Sequence, residues 1–212
     1  ITIRVIDKKY PIYSDYKAQA GAATGHYFHQ DLLVANYIYH ANPQRHIDVG
    51  SSVAGFVSHV AAYREIEVID VRPLKDTGHK NIKFQQMDLM AGNGVEAEVT
   101  DSISCLHAIE HFGLGRYGDP IDPQGHIKGF LNLLKMLKPN GFLYISFPIA
   151  QTNQVQFNAH RVFEPSNILS WQNKYQIELQ GFSFVDDAGD LHQEKLVTDV
   201  PSMTQYGCGI YT

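Results

Sequence analysis

Short apolar runs alternate with longer segments of helical periodicity along most of the chain. Four runs in the first half have the length and composition of buried strands. The segments between them carry apolar residues three and four positions apart, which is typical of helices that cover a sheet. The predicted strands are His46–Val49, Glu67–Val71, a run that ends at Asp88, and Ser102–Leu106. This alternation predicts a parallel, doubly wound α/β sheet.

The second half of the chain continues this pattern and then departs from it. A helix is predicted from Asp122 and Pro123 onwards, and the turn Lys-Pro-Asn-Gly leads from it into a fifth strand, Phe142–Pro148. A loop and a helix follow over 157–171, and two late strands lie within 175–187 and 208–212. We expect the late strands to pair antiparallel. The prediction is a mostly parallel seven-stranded sheet between two helix layers, with an antiparallel terminal hairpin.

The first 44 residues have a different character. Residues 1–20 alternate briefly and then become polar, as in a peripheral strand followed by an arm. Thr24–His40 begins with polar and aromatic residues and continues with the pattern of a buried helix, so we predict a lid. The expected division is an N-terminal arm and lid helix over 1–44 and one α/β domain over 45–212.

Composition narrows the choice of partners. The 212 residues suffice for one domain, and the formal net charge is -5. Lys and Arg form no long run, so we expect neither nucleic acid nor a membrane surface as a partner. The sequence has two cysteines, and it lacks a signal-peptide pattern and an apolar stretch of about 18 residues. These features favour a soluble, reduced, cytoplasmic protein.

A glycine-containing turn after the first strand is the strongest local signal. Asp48, Gly50 and Gly55 follow the pattern D-x-G-x-x-x-x-G, and Ser52 can cap the helix that begins there. A dinucleotide site has G-x-G-x-x-G and places pyrophosphate on the helix N-terminus, where Asp48 would repel it. An acid suits a cationic ligand such as S-adenosylmethionine, which carries an ammonium and a sulfonium.

A second acid supports a nucleoside site. Asp70 ends the second strand and lies 22 positions after Asp48. An acid about 20 residues past such a turn, at the end of the next strand, is where ribose hydroxyls are commonly held.

Together these residues resemble the class I S-adenosylmethionine-dependent methyltransferases, over roughly residues 45–212. The matching features, in the expected order, are the turn with Asp48, Gly50 and Gly55, then Asp70, then Asp88, then the stretch LKPNGFLYIS. The stretches HYFHQDLLVA, SCLHAIEHFGLGRYGDPIDP and NAHRVF are similar to a branch of this family known only as a domain of unknown function.

The resemblance implies a Rossmann-like fold and a role for each acid. The first acid and the glycines would line the methionine moiety of S-adenosylmethionine, Asp70 would hold the ribose, and Asp88 would lie near the adenine amino group. Ser52 stands where many relatives have glycine.

The run His107–His111 follows the fourth strand, where doubly wound sheets bind ligands. It matches H-x-x-E-H, a zinc-protease pattern, but Gly113 and Gly115 leave little helix for such a site. We predict that His111 is a general base with Glu110 as its orienting group, and that His107 faces the cofactor. His160, beyond the fifth strand, is the second candidate base. The other interpretation is that these residues satisfy buried polar groups.

Other polar residues are candidates for the acceptor site. His26 and His29 have a spacing that metal ligands use, but Tyr27 and Phe28 between them favour a lid, so we predict no metal. Residues predicted to bind the substrate are His29, Arg116, Tyr117 and Arg161. A solvated loop or a helix cap is the alternative for the last three.

The predicted function is methyl transfer from S-adenosylmethionine to a small polar acceptor, such as a sugar hydroxyl. One alternative is a nucleoside-binding partner module without catalytic activity, because a fold does not establish turnover. A nicotinamide-dependent oxidoreductase and a zinc hydrolase are less favoured.

Overall fold

A mixed sheet of eight strands forms the centre of the protein in a computed structural model that describes residues 10–175 and 177–212. The first nine residues of the predicted N-terminal arm lie outside the described part. The strands are β1 (His46–Val49), β2 (Ile66–Asp70), β3 (Ile82–Gln86), β4 (Thr100–Leu106), β5 (Leu137–Ile149), β6 (Gln154–Gln156), β7 (His160–Val162), β8 (Phe182–Val185), β9 (Leu191–His192) and β10 (Gly207–Tyr211). Strands β6 and β7 form a separate antiparallel pair.

The strand order in the main sheet is β3-β2-β1-β4-β5-β10-β8-β9. Strands β1 to β5 are parallel, whereas β10 runs antiparallel to both β5 and β8. The predicted fold class, including the reversed terminal strand, is therefore confirmed. The eighth strand was not predicted, because β9 has two residues and joins the sheet only by pairing with β8.

Helices cover both faces of this sheet. They are α1 (His26–Ala41), α2 (Ser58–Ala61), which continues a π-type turn over Val53–Val57, α3 (Gly125–Met136) and α4 (Asn167–Tyr175). Short 3-10 turns occur at Ser14–Lys17, Ile109–His111 and Val197–Asp199. No helix among the described residues is long and apolar enough to cross a membrane.

Successive strand residues point to opposite faces, so the sheet has two hydrophobic cores. On one face, Phe130 and Leu133 of α3 pack in a cluster with Ile47 of β1. On the other, Val34 and Ile38 of α1 pack in a cluster with residues of α2 and β2. The predicted lid helix thus contributes to the core of the main domain. The division of the chain at residue 44 stays a prediction.

The start of β5 differs from the predicted turn. Leu137 already pairs with Thr100, and the next pair is Phe142 with Ser102, so the Lys-Pro-Asn-Gly segment is a bulge inside the strand. Asn140 has a φ of 62°, a conformation that asparagine tolerates well. A bulge also suits Pro139, which has no N–H to donate to the ladder.

Candidate active site

The turn after β1 depends on two glycines. Gly50 has a φ of 72°, and a Cβ at this position would lie 2.9 Å from Cβ of Ala108. A Cβ on Gly55 would collide with Oδ2 of Asp31, a buried carboxylate on α1. Ser52 caps the turn by accepting a hydrogen bond from the Gly55 N–H at 3.2 Å. Both glycines therefore allow close approach of the neighbouring elements, and the predicted cap is present.

Asp48 lies beneath the turn. Its carboxylate is fully buried and accepts hydrogen bonds from Ser51 Oγ at 2.5 Å and Ser104 Oγ at 2.6 Å. Burial raises the pKa of Asp48 to about 6. The carboxylate lines neither of the cavities described below, so it supports the turn and does not face the expected ligand.

Two adjoining cavities lie at the carboxyl ends of β1, β2 and β4. The larger has a volume of about 610 Å³, and the smaller has about 50 Å³. Gly50, Asp70, His111 and Tyr117 line both, whereas Asp88 lines only the smaller one. The larger cavity is also lined by Tyr27, Ser52, His107 and Arg116. The edge of the sheet where doubly wound folds bind ligands therefore collects most of the predicted site residues.

Asp70 is already engaged by a cation. Its two oxygens accept hydrogen bonds from Arg72 Nε at 2.9 Å and from an Arg72 NH2 group at 2.6 Å. The Arg72 guanidinium also lies 4.5 Å from the centre of the Tyr117 ring. In this arrangement Arg72 occupies the acceptor atoms that a ribose would need. Arg72 is not among the site residues predicted from the sequence, although its place two residues after a strand-ending acid is a recognisable signal.

The turn that follows β4 brings the titratable side chains of His107, Glu110 and His111 together. His107 has a φ of 49°, and its Nδ1 lies 2.9 Å from Oε1 of the buried Glu110. Burial alone lowers the pKa of His107, but Cys208 and Glu110 outweigh it and raise that pKa well above its ordinary value. The second carboxylate oxygen of Glu110 and Nε2 of His107 are buried without a partner among the described residues.

His111 is oriented by a backbone carbonyl. Its Nδ1 lies 2.7 Å from the Ala159 oxygen and 3.2 Å from Nη1 of Arg116, which itself donates to the Ala159 oxygen at 2.8 Å. Because the carbonyl oxygen can only accept, we assign the proton of the neutral ring to Nδ1 and the lone pair to Nε2. Burial lowers the pKa of His111, which favours the neutral form. The predicted orienting role of Glu110 needs correction, because Glu110 Oε1 is 3.7 Å from His111 Nε2 and its short hydrogen bond goes to His107.

Three other predicted residues lie outside the cavity walls. His29 is on the first turn of α1, but Tyr27 is the helix residue that lines the cavity. Arg161 is buried, and its guanidinium donates to the carbonyls of Phe112, at 2.5 Å, and Glu110, at 3.3 Å. His29 and Arg161 line neither cavity, so their contacts with the substrate stay predictions. His160, with its ring centre 6.3 Å from that of His111, is not among the lining residues either.

A family model matches residues 65–198 of the chain, and its description is "Caenorhabditis protein of unknown function, DUF268". No curated protein sequence matches. The match confirms the predicted similarity to a family of unknown function.

Solved structures with the same fold include S-adenosylmethionine-dependent methyltransferases. A 1,6-didemethyltoxoflavin-N1-methyltransferase from Burkholderia thailandensis, with bound S-adenosylhomocysteine, is 12% identical with a TM-score of 0.56, over 85% of this chain and 77% of that one. A SAM-dependent methyltransferase from Leishmania major is 12% identical with a TM-score of 0.55, over 86% and 71%. The 4+2 cyclase SpnF is 15% identical with a TM-score of 0.53, over 68% of this chain and 56% of the cyclase. At these identities the likeness establishes the fold.

Proposed function

The chain belongs to the DUF268 family, and we propose that it transfers a methyl group from S-adenosylmethionine to a hydroxyl group of a small polar acceptor such as a sugar. One observation carries the proposal. Gly50, Asp70 and Asp88, which the family resemblance assigns to successive parts of the cofactor, line adjoining cavities at the carboxyl ends of the parallel strands.

The donor set suits this cofactor. The turn from Gly50 to Ser52 would hold the methionine moiety, Asp70 the ribose hydroxyls, and Asp88 the edge of the adenine. Asp48 acts through the turn, which its hydrogen bonds to Ser51 and Ser104 hold in place. The negative charge near this turn favours a cationic ligand over the pyrophosphate of a nicotinamide dinucleotide.

When bound, S-adenosylmethionine supplies an electrophilic methyl group. The residues of this chain would orient the acceptor and remove its proton. Nε2 of His111, which carries the free lone pair, would take the proton of the acceptor hydroxyl. Arg116 and Tyr117, in the wall of the larger cavity, would bind polar groups of the acceptor.

A second candidate is a nucleoside-binding partner module without catalytic activity. The pairing of Arg72 with Asp70 must break before a ribose can bind in either candidate, so it does not distinguish them. The likeness in fold to a protein named as a cyclase favours this candidate, because a fold does not prescribe one reaction.

We also propose that the protein works in a reducing compartment such as the cytoplasm, without a nucleic-acid or membrane partner. Both cysteines are buried and free, as is usual where disulfides do not form.

Isothermal titration calorimetry with S-adenosylhomocysteine tests cofactor binding, and NAD⁺ in a parallel titration is the control. We expect saturable binding of the first ligand alone. Absence of heat at millimolar S-adenosylhomocysteine would contradict the proposal. Incubation of a metabolite extract with a labelled methyl donor then identifies the acceptor, and binding without any labelled product would favour the partner module.

A further inference from the structure

Three potential metal ligands meet at the wall of the larger cavity, which one of them, His107, lines. A ring nitrogen of His26, a ring nitrogen of His107 and Sγ of Cys208 all lie within 4.8 Å of one another. The three residues come from the start of α1, the turn after β4 and strand β10. His107 and Cys208 are buried, and His26 is half-buried. Side chains from distant parts of the chain therefore converge on one point.

His107 has the environment of a metal-bound histidine. Its Nδ1 is hydrogen-bonded to the Glu110 carboxylate at 2.9 Å, and its Nε2 is buried without a partner among the described residues. Metal-bound histidines commonly direct one nitrogen at the ion and the other at a carboxylate, which fixes the orientation of the ring. An orphaned buried nitrogen costs about 1–3 kcal/mol, and a bound ion would remove that cost.

The ligand types select the ion. Two imidazoles and one thiolate form a nitrogen and sulfur set that suits Zn²⁺ and disfavours Mg²⁺ or Ca²⁺. Zinc bonds of about 2.0–2.3 Å in a tetrahedron place ligand atoms roughly 3.3–3.8 Å apart, so the cluster must contract by about 1 Å. His26 is the ligand that would move, because it is half-buried on the first turn of α1. Its ring is stacked between the rings of His107 and Tyr206, with ring centres 5.2 Å and 5.4 Å away, so binding would also require this ring to turn out of the stack.

We propose that His26, His107 and Cys208 bind one Zn²⁺ ion. Three protein ligands leave a fourth position for a solvent molecule. The ion would tie the start of α1 to the sheet and thereby hold Tyr27, the next residue, in the wall of the large cavity. This site differs from the H-x-x-E-H pattern, because His111 points its Nδ1 at a carbonyl and takes no part in the cluster.

Metal content and cobalt spectroscopy test the site without reference to activity. The full chain is purified without chelators or a metal-affinity step, incubated with equimolar Zn²⁺, desalted, and analysed by plasma mass spectrometry. We expect about one zinc per chain in the wild type and a loss of most of it in His26→Gln and Cys208→Ser. Glu110→Gln removes only the supporting carboxylate and should weaken zinc affinity by roughly 10- to 100-fold.

Matched controls separate ligand loss from unfolding. Cys105→Ser alters the other buried cysteine, and His29→Gln alters the other half-buried histidine of the first helical turn, so both should retain zinc. The Co²⁺-loaded protein should show a thiolate-to-cobalt charge-transfer band that Cys105→Ser keeps and Cys208→Ser loses. Circular dichroism confirms the fold of each variant. A folded wild type that holds no zinc, or a folded Cys208→Ser that holds as much as the wild type, would overturn the proposal.

Discussion

Replacement of Asp70 by asparagine is the sharpest test of the proposed nucleoside site. Its carboxylate lines both cavities and accepts hydrogen bonds from the backbone N–H and the guanidinium of Arg72. In the bound state, ribose hydroxyls would replace the guanidinium as donors. Asparagine preserves the size of the side chain but removes its charge and one of its two acceptor oxygens.

The relative strengths of the two sets of contacts give the expected magnitude. Hydrogen bonds to a charged group contribute about 1.5–3 kcal/mol. The competing ion pair contributes about 0–1 kcal/mol, because the Arg72 side chain is 48% exposed. Ribose should therefore displace Arg72 from Asp70. We expect Asp70→Asn to raise the Kd for S-adenosylhomocysteine by roughly 10- to 150-fold, which corresponds to about 1.5–3 kcal/mol.

Isothermal titration calorimetry measures this change, and the same strand offers a matched control. Glu67 also belongs to β2 and pairs with an arginine, Arg45, at 2.6 Å, but it lines neither cavity at the ligand edge. Glu67→Gln should leave the Kd unchanged, and Arg72→Gln should leave it unchanged or lower it. A Kd for Asp70→Asn within twofold of the wild type would refute the assignment of Asp70 to the ribose.

Three further predictions concern catalysis, backbone strain and pH. His111→Ala should lower the kcat of methyl transfer by roughly a hundredfold or more with little change in the Kd of S-adenosylmethionine, since a general base acts on the acceptor. Steady-state kinetics measure kcat and calorimetry measures Kd; unchanged turnover would remove His111 from the mechanism. Gly50→Ala should lower the Tm by several degrees more than Gly78→Ala in thermal denaturation. The two glycines have similar φ values, 72° and 69°, but only the new Cβ at Gly50 would contact the Cβ of Ala108, at 2.9 Å. Equal shifts in Tm would show that this contact is unimportant. Burial lowers the pKa of His126 to about 4, so its ring is neutral in the fold, and the stability it contributes above pH 6.5 is lost as the pH falls from 6.5 towards 4. Urea titrations should therefore show that the free energy of unfolding falls less over this pH range in His126→Phe than in the wild type. The difference is at most about 1.4 kcal/mol per pH unit, and less because the ring is only half-buried; parallel curves would contradict the assignment.

The features that sequence predicted well are those set by local pattern. Strands β1, β2 and β4 are short buried runs, and burial on both faces makes such runs apolar whatever the details of packing. Asp70 could be placed because it ends its strand, and parallel strands end at a common edge. The two-residue β9 has no such pattern, since it is defined only by pairing with β8.

Within the site, the sequence could not predict the direction and the partners of individual side chains. His29 and Tyr27 are close in the sequence, but rotation along α1 directs only Tyr27 into the cavity wall. Glu110 is adjacent to His111, yet its short hydrogen bond goes to His107, three residues earlier in the turn after β4. Arg161 looked available for substrate, and only the folded loop shows that carbonyl groups surround it. Such relationships depend on tertiary geometry that no local spacing encodes.

The position of β10 in the sheet affects when the sheet can be completed during synthesis. This strand lies between β5 and β8 but is translated after both. At about 5–20 residues per second, the segment between β8 and β10 takes on the order of seconds to synthesise. Until then β5 and β8 each present an unpaired edge, and such edges promote association between chains. Chaperone capture of the nascent chain should therefore be strongest in this interval and decline once β10 enters the sheet.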